Sequence, residues 1–151
     1  MIKIGLDMMG GDYAPLEAVK GVSAFLQENS KDVHLVLIGD EEQIKQHIAA
    51  LSIAPGQYSI VHASQVIEMH EHPTKALKEK QHSSIAIGFH LLATGKTDAF
   101  ISAGNTGAMM VGALFSIKAI EGVLRPTIGA YMPRENGSLG LLLDVGLNAD
   151  C

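Results

Sequence analysis

Residues 99–108 read Ala99-Phe100-Ile101-Ser102-Ala103-Gly104-Asn105-Thr106-Gly107-Ala108, and they decide the fold class. The apolar run from Ala99 to Ser102 has the length of a short buried strand. It breaks at two glycines that bracket Asn105 and Thr106, and a helical stretch follows from Ala108 to about Ala119. Strand, glycine-rich turn and helix in succession form the repeating unit of an α/β sheet.

The unit recurs upstream. Ile2 to Leu6 is a strand that halts at Asp7-Met8-Met9-Gly10-Gly11-Asp12. Pro15 then opens a helix with Glu17 in its first turn and Ala18, Val19, Val22, Phe25 and Leu26 as its apolar stripe. Val33 to Ile38 is a second strand. Asp40 caps a helix carrying Ile44, Ile48 and Leu51, which Pro55-Gly56 stops, and Tyr58 to Val61 is a third strand. A loop at His70-Glu71-His72-Pro73 leads into a polar helix through Lys75, Lys78 and Lys80, and Ser83 or Ser84 caps the next helix. Downstream, Thr127 to Tyr131 and Leu139 to Asp144 are two more strands, linked through Asn136-Gly137, a hairpin signal. The pattern predicts a three-layer α-β-α fold on a mostly parallel sheet buried on both faces. The strand at the end, Leu139 to Asp144, has no helix after it to cover it, which reads as a longer chain cut at Cys151 or as a fold that a second polypeptide completes.

Composition narrows the function. The chain has 151 residues, 47% hydrophobic and 18% charged, enough apolar content for the core of one domain. Its net charge of −5 argues against a general nucleic-acid binder. A single cysteine, Cys151, excludes a disulfide framework, suits a reducing cytoplasmic compartment and has no His paired with it as a nucleophile would. No apolar run approaches the ~20 residues of a membrane span.

In open α/β sheets ligands bind beyond the carboxyl ends of the strands, at a switch point in strand order. Three segments sit there. In the first, Gly10 and Gly11 permit close backbone approach to a ligand, with carboxylates on either side. In the second, Ser102, Gly104, Asn105, Thr106 and Gly107 place backbone N–H groups and a helix dipole where an anion would rest. A helix cap would require fewer small and polar residues than these. The segment matches neither a Walker loop nor a G-x-G-x-x-G fingerprint. The third, Asp144 to Asp150, offers Asp144, Asn148 and Asp150 to orient a substrate.

Other features have plainer explanations. His70-Glu71-His72 lacks a third metal ligand at a useful spacing, so the pair is read as solvated and no metal is expected. His62 is a rim residue or an acid–base group. Met8, Met9, Met109 and Met110 fill the core, although flexible thioethers also suit a lipid chain. Lys75, Lys78 and Lys80 form a small basic face that an acidic partner would find attractive.

Taken together these motifs resemble a known family. Asp7-Met8-Met9-Gly10-Gly11-Asp12 followed by Pro15 is similar to the opening motif of the bacterial acyl-acyl carrier protein:phosphate acyltransferases, the PlsX family. Val61 to Ile67, Pro73 to Ser84, Ser102 to Ala108, Arg125-Pro126 and Leu141 to Cys151 resemble its later motifs in the same order. The likeness covers the whole chain and corresponds to roughly the N-terminal half of a family member. Met8 and Leu147 depart from the family's usual Ala, and Gln81-His82 from a common basic residue and Asp.

The resemblance implies a reaction in which inorganic phosphate takes the acyl group of long-chain acyl carrier protein, giving acyl phosphate for phospholipid synthesis. It implies a fold like those of phosphotransacetylases and of isocitrate and isopropylmalate dehydrogenases. It further implies a homodimer, no metal or organic cofactor, and action at the cytoplasmic face of the membrane through a segment in the other half. On that chemistry Gly10, Gly11, Ser102 and the Gly104–Gly107 turn would hold phosphate and substrate. Asn105 or Asn148 would donate to the thioester oxygen, and Asp12 or His62 would protonate the leaving thiolate. The competing readings are a non-catalytic anion- or carrier-binding module and a nicotinamide-dependent dehydrogenase. The second requires an Arg-rich site, and Arg125 and Arg134 form no cluster.

Overall fold

A computed structural model describes residues 1–28, 32–124 and 126–144. The chain forms two compact units, Met1–Ile117 and Lys118–Cys151. The first holds β1 (Ile2–Asp7), α1 (Leu16–Glu28), β2 (Val33–Gly39), α2 (Glu41–Ala50), β3 (Tyr58–His62), α3 (Pro73–Glu79), α4 (Ser84–Ala93), β4 (Ala99–Ile101) and α5 (Thr106–Ser116). Its four strands are all parallel, in the order β3-β2-β1-β4.

Strand β2 shows why both faces need cover. Successive side chains point to opposite faces, and here both sets are apolar. Leu35 and Leu37 pack with Val19, Val22, Ile44 and Ile48 under α1 and α2. Val36 and Ile38 pack with Ala63 and Leu91 under α4. A further cluster of Ile67, Ala76, Ile85, Phe89 and Ala108 joins α3, α4 and α5. Phe89 and Phe100 meet edge to face at 5.2 Å between centroids, tying that cluster to β4. The expected layers, helix on sheet on helix, are therefore present.

Helix starts follow the capping chemistry. Asp40 accepts from the Gln43 N–H, and Ser83 rather than Ser84 accepts from Ala86. The boundary that bears on the site differs from expectation. Helix α5 begins at Thr106, two residues before Ala108, because Asn105 is its cap. Gly107 thus lies in the helix's first turn.

The second unit contains β5 (Gly129–Pro133) and β6 (Leu139–Leu143), an antiparallel pair closed by a turn in which Gly137 takes φ +78. Pairing runs Gly129 to Leu143 and Pro133 to Leu139, as the Asn136-Gly137 signal requires. Among the described residues no helix is long and apolar enough to cross a membrane.

Candidate active site

The strand order creates the switch point. From β1 the chain steps outward to β2 and β3, then returns to place β4 on the other side of β1. The crevice between the carboxyl ends of β1 and β4 is therefore where ligands of such sheets bind. Two of the three sequence-predicted segments meet there.

Register brings them together. Leu6 pairs with Ile101, so the next residues, Asp7 and Ser102, leave the sheet side by side. Asp7 is buried, and its carboxylate is satisfied from two directions. Oδ1 accepts the Met9 N–H at 2.9 Å, and Oδ2 accepts the Ser102 hydroxyl at 2.7 Å. The Ser102 oxygen in turn accepts the Gly104 N–H at 2.9 Å. Bonds to a charged group contribute ~1.5–3 kcal/mol each, so this cluster rivets the β1–α1 turn to the β4–α5 turn. Gly10 is what lets them approach. A Cβ added there would stand 2.6 Å from the Gly104 nitrogen and 2.8 Å from Asp7 Oδ2.

Asn105 is 5% exposed and fully engaged. Its Oδ1 accepts the Ala108 N–H at 2.9 Å. Its Nδ2 lies 3.0, 3.3 and 3.1 Å from the carbonyls of Glu68, Met69 and Glu71. Asn105 is therefore the clasp between α5 and the loop before α3, and its amide has no hydrogen left for a thioester oxygen. The contacts seen here are those of a clasp rather than of the thioester donor expected of it. The loop has a second tie, since the Lys80 ammonium donates to the Val66 carbonyl at 2.7 Å and to Glu71 Oε2. The Lys80 hydrogen bond, helped by the Glu68 N–H, holds the Glu71 carboxyl below the usual glutamate range.

What remains free at this end is backbone. The first N–H groups of a helix have no partner inside it. Among the described residues the Thr106 and Gly107 N–H groups have no acceptor, and the exposed Thr106 hydroxyl stands beside them. With the helix dipole, they present an electropositive corner. Asp7 lies under Gly104, so an anion has its favourable approach from the Thr106–Gly107 side.

The remaining candidates separate. Asp12 is exposed in the β1–α1 turn, beside the crevice. His62 ends β3, and its Nδ1 accepts the Glu41 N–H at 3.3 Å next to the Asp40 cap. Three strand spacings, about 14 Å, separate β3 from β4, so the structure does not bring His62 to the α5 turn. Asn148 lies outside the described residues, as do Leu147 and Asp150, and Asp144 belongs to the second unit. No group of three His, Cys, Asp or Glu side chains among the described residues is placed to hold a metal ion. Asp7 is the residue of this crevice that motif reading did not single out. An acid ending a buried strand needs donors, and Ser102 at the end of the neighbouring strand supplies one.

Comparison with known proteins agrees with this architecture. A family model described as "Fatty acid synthesis protein" matches residues 2–151. Proteins named phosphate acyltransferase are similar throughout: 45% identical in Dictyoglomus turgidum, 47% in Pelotomaculum thermopropionicum and 41% in Neisseria meningitidis serogroup A. The matches cover 99%, 99% and 100% of this chain but 44%, 43% and 43% of those relatives, so the chain spans less than half their length. Among solved structures, a phosphotransacetylase from Streptococcus pyogenes superposes with a TM-score of 0.65 at 22% identity. That match covers 93% of this chain and 45% of the other. The EutD phosphotransacetylase from Staphylococcus aureus gives 0.63 at 21% identity, covering 99% and 48%. The parallel sheet, the riveted turns at its switch point and a family match over residues 2–151 lead to one conclusion: the chain belongs to the fatty acid synthesis protein family, that of the phosphate acyltransferases.

Proposed function

We propose that residues 1–151 are the N-terminal portion of a phosphate acyltransferase domain that makes acyl phosphate from long-chain acyl-acyl carrier protein and inorganic phosphate. The observation that carries this is the pair of unpartnered N–H groups at Thr106 and Gly107, at the switch point of a sheet shared with phosphotransacetylases. Phosphate is already anionic near neutral pH, so the site's task is placement. Holding the nucleophile against the thioester carbon contributes up to ~7–11 kcal/mol. A phosphate oxygen attacks the carbonyl carbon, the tetrahedral oxyanion collapses, the carbon–sulfur bond breaks, and the thiolate leaves and takes up a proton. Asp12, exposed in the β1–α1 turn beside the crevice, would supply that proton. Asn105 acts by fixing the turn.

The same reading makes the protein a cytoplasmic homodimer in phospholipid synthesis, working without metal or organic cofactor and touching the membrane through the other half of the family's chain. In the full-length protein carrying this chain, acyl-acyl carrier protein should be consumed, and free carrier protein released, only when inorganic phosphate is present. The product should be trapped by hydroxylamine as a hydroxamate, with chelator and absence of nucleotide making no difference. Phosphate-independent thioester cleavage, or hydride transfer to a nicotinamide, would overturn the reading.

A further inference from the structure

In the sequence Lys80 belongs with Lys75 and Lys78 to one basic face, and the structure separates it from them. Lys75 and Lys78 are exposed on α3, whereas Lys80 is the C-cap of that helix and its side chain is only 29% exposed. It reaches back to the loop before the helix and donates to the Val66 carbonyl at 2.7 Å and to Glu71 Oε2. An isolated surface ion pair contributes little and costs the freedom of a long side chain. This one does more, because its two acceptors stand near the two ends of the loop of residues 66–72.

Both ends are held further. The Gln65 N–H donates to the His82 carbonyl, and the His82 N–H donates to Gln65 Oε1 at 3.0 Å. At the other end Glu71 Oε2 also accepts the Glu68 N–H at 2.7 Å, which sets the turn whose carbonyls Asn105 gathers. Asn105 then caps α5 at Ala108, and Pro73, just past the loop, presses on Gly107: a Cβ there would stand 2.4 Å from Pro73 Cγ. Thr106 and Gly107 carry the N–H groups without an acceptor among the described residues. Hydrogen bonds weaken steeply as they bend, so donors made of backbone depend on how the first turn of α5 is aimed.

We propose that Lys80 is a positioning residue: through Glu71 and the loop of residues 66–72 it holds Asn105, and with it the first turn of α5, in the geometry that takes an oxyanion. Lys80 is engaged by the loop and acts on the anion only through it. The proposal rests on the phosphate-site reading above, and the test separates the two.

Inorganic phosphate is titrated into this chain, labelled with nitrogen-15, and into Lys80→Met, Lys80→Arg, Glu71→Ala and Glu71→Gln, with the Thr106 and Gly107 amide shifts giving the dissociation constant. Lys80→Met and Glu71→Ala should each bind phosphate at least about fivefold more weakly, with faster amide exchange at residues 68–71. Lys80→Arg keeps the charged donors and Glu71→Gln keeps an acceptor for Lys80 and the Glu68 N–H, so both should stay within about twofold of the parent chain. Two simpler roles give other patterns. A Lys80 that acted only as a positive charge would make both Glu71 variants bind phosphate more tightly. A pair that only stabilised the fold would lower the unfolding midpoint and leave the affinity of folded molecules unchanged. Thermal unfolding shows which variants are folded, and if Lys80→Met is not, Glu71→Ala, which keeps the bond to Val66, decides. Parent-like or tighter binding by folded Lys80→Met or Glu71→Ala overturns the proposal and leaves the phosphate site standing. Absence of saturable shifts at Thr106 and Gly107 in the parent chain would overturn the phosphate site itself, and the proposal with it.

Discussion

Asn105→Ala should lower the unfolding midpoint by about 10 °C and free the loop of residues 68–71. The cap bond to the Ala108 N–H goes first, at ~0.5–2 kcal/mol. The carbonyls of Glu68, Met69 and Glu71 then lose their shared donor, and any that stays buried costs ~1–3 kcal/mol. A total near 3 kcal/mol, at roughly 3–5 °C per kcal/mol for a unit of this size, gives that shift. Asn105→Ser restores the cap alone, so it should recover about 1 kcal/mol while amide exchange at residues 68–71 stays fast. An unchanged midpoint, or loop amides as protected as in the parent chain, would show that Asn105 is not the clasp.

Gly10→Ala should do the greatest damage to the site for the smallest change in side chain. The new methyl would meet Gly104 N at 2.6 Å, Asp7 Oδ2 at 2.8 Å and Gly104 Cα at 3.0 Å, and the two backbone atoms cannot swing aside as a side-chain end would. Overpacking of this kind costs ~1–3 kcal/mol, and relief requires the two turns to part. That separates Asp7 from Ser102 and tilts the α5 N-terminus. The rate of phosphate-dependent acyl transfer in the full-length protein should fall at least tenfold, with phosphate KM rising. Gly21→Ala is the control: nothing lies near its Cβ, and gaining alanine in a helix should raise stability by up to ~1 kcal/mol. Equal effects from the two substitutions would contradict the riveted-turn account.

The elements of both units were legible because their signals are local. Alternating apolar stripes, Asp40 before α2, Ser83 before α4 and Asn136-Gly137 in the hairpin each act within a few residues of themselves. The site was legible only in part. Two strand-end segments could be seen as ligand-facing, but sequence does not reveal which strands are neighbours. That order is why Asp7 joins Ser102 and why His62 stands three strands from β4. The contacts of Asn105 were hidden for a related reason. The same residue type serves as an oxyanion donor or as a clasp, and the carbonyls it bonds lie 34–37 positions away.

The central claim is that phosphate rests on the first turn of α5. Titrating inorganic phosphate into this chain, labelled with nitrogen-15, and following its backbone amide resonances tests that claim directly. The account predicts saturable shifts concentrated at Thr106 and Gly107, the two N–H groups without an acceptor among the described residues, with little change at Gly104, whose N–H already serves Ser102. Shifts that never saturate, or that gather away from residues 104–107, would contradict it.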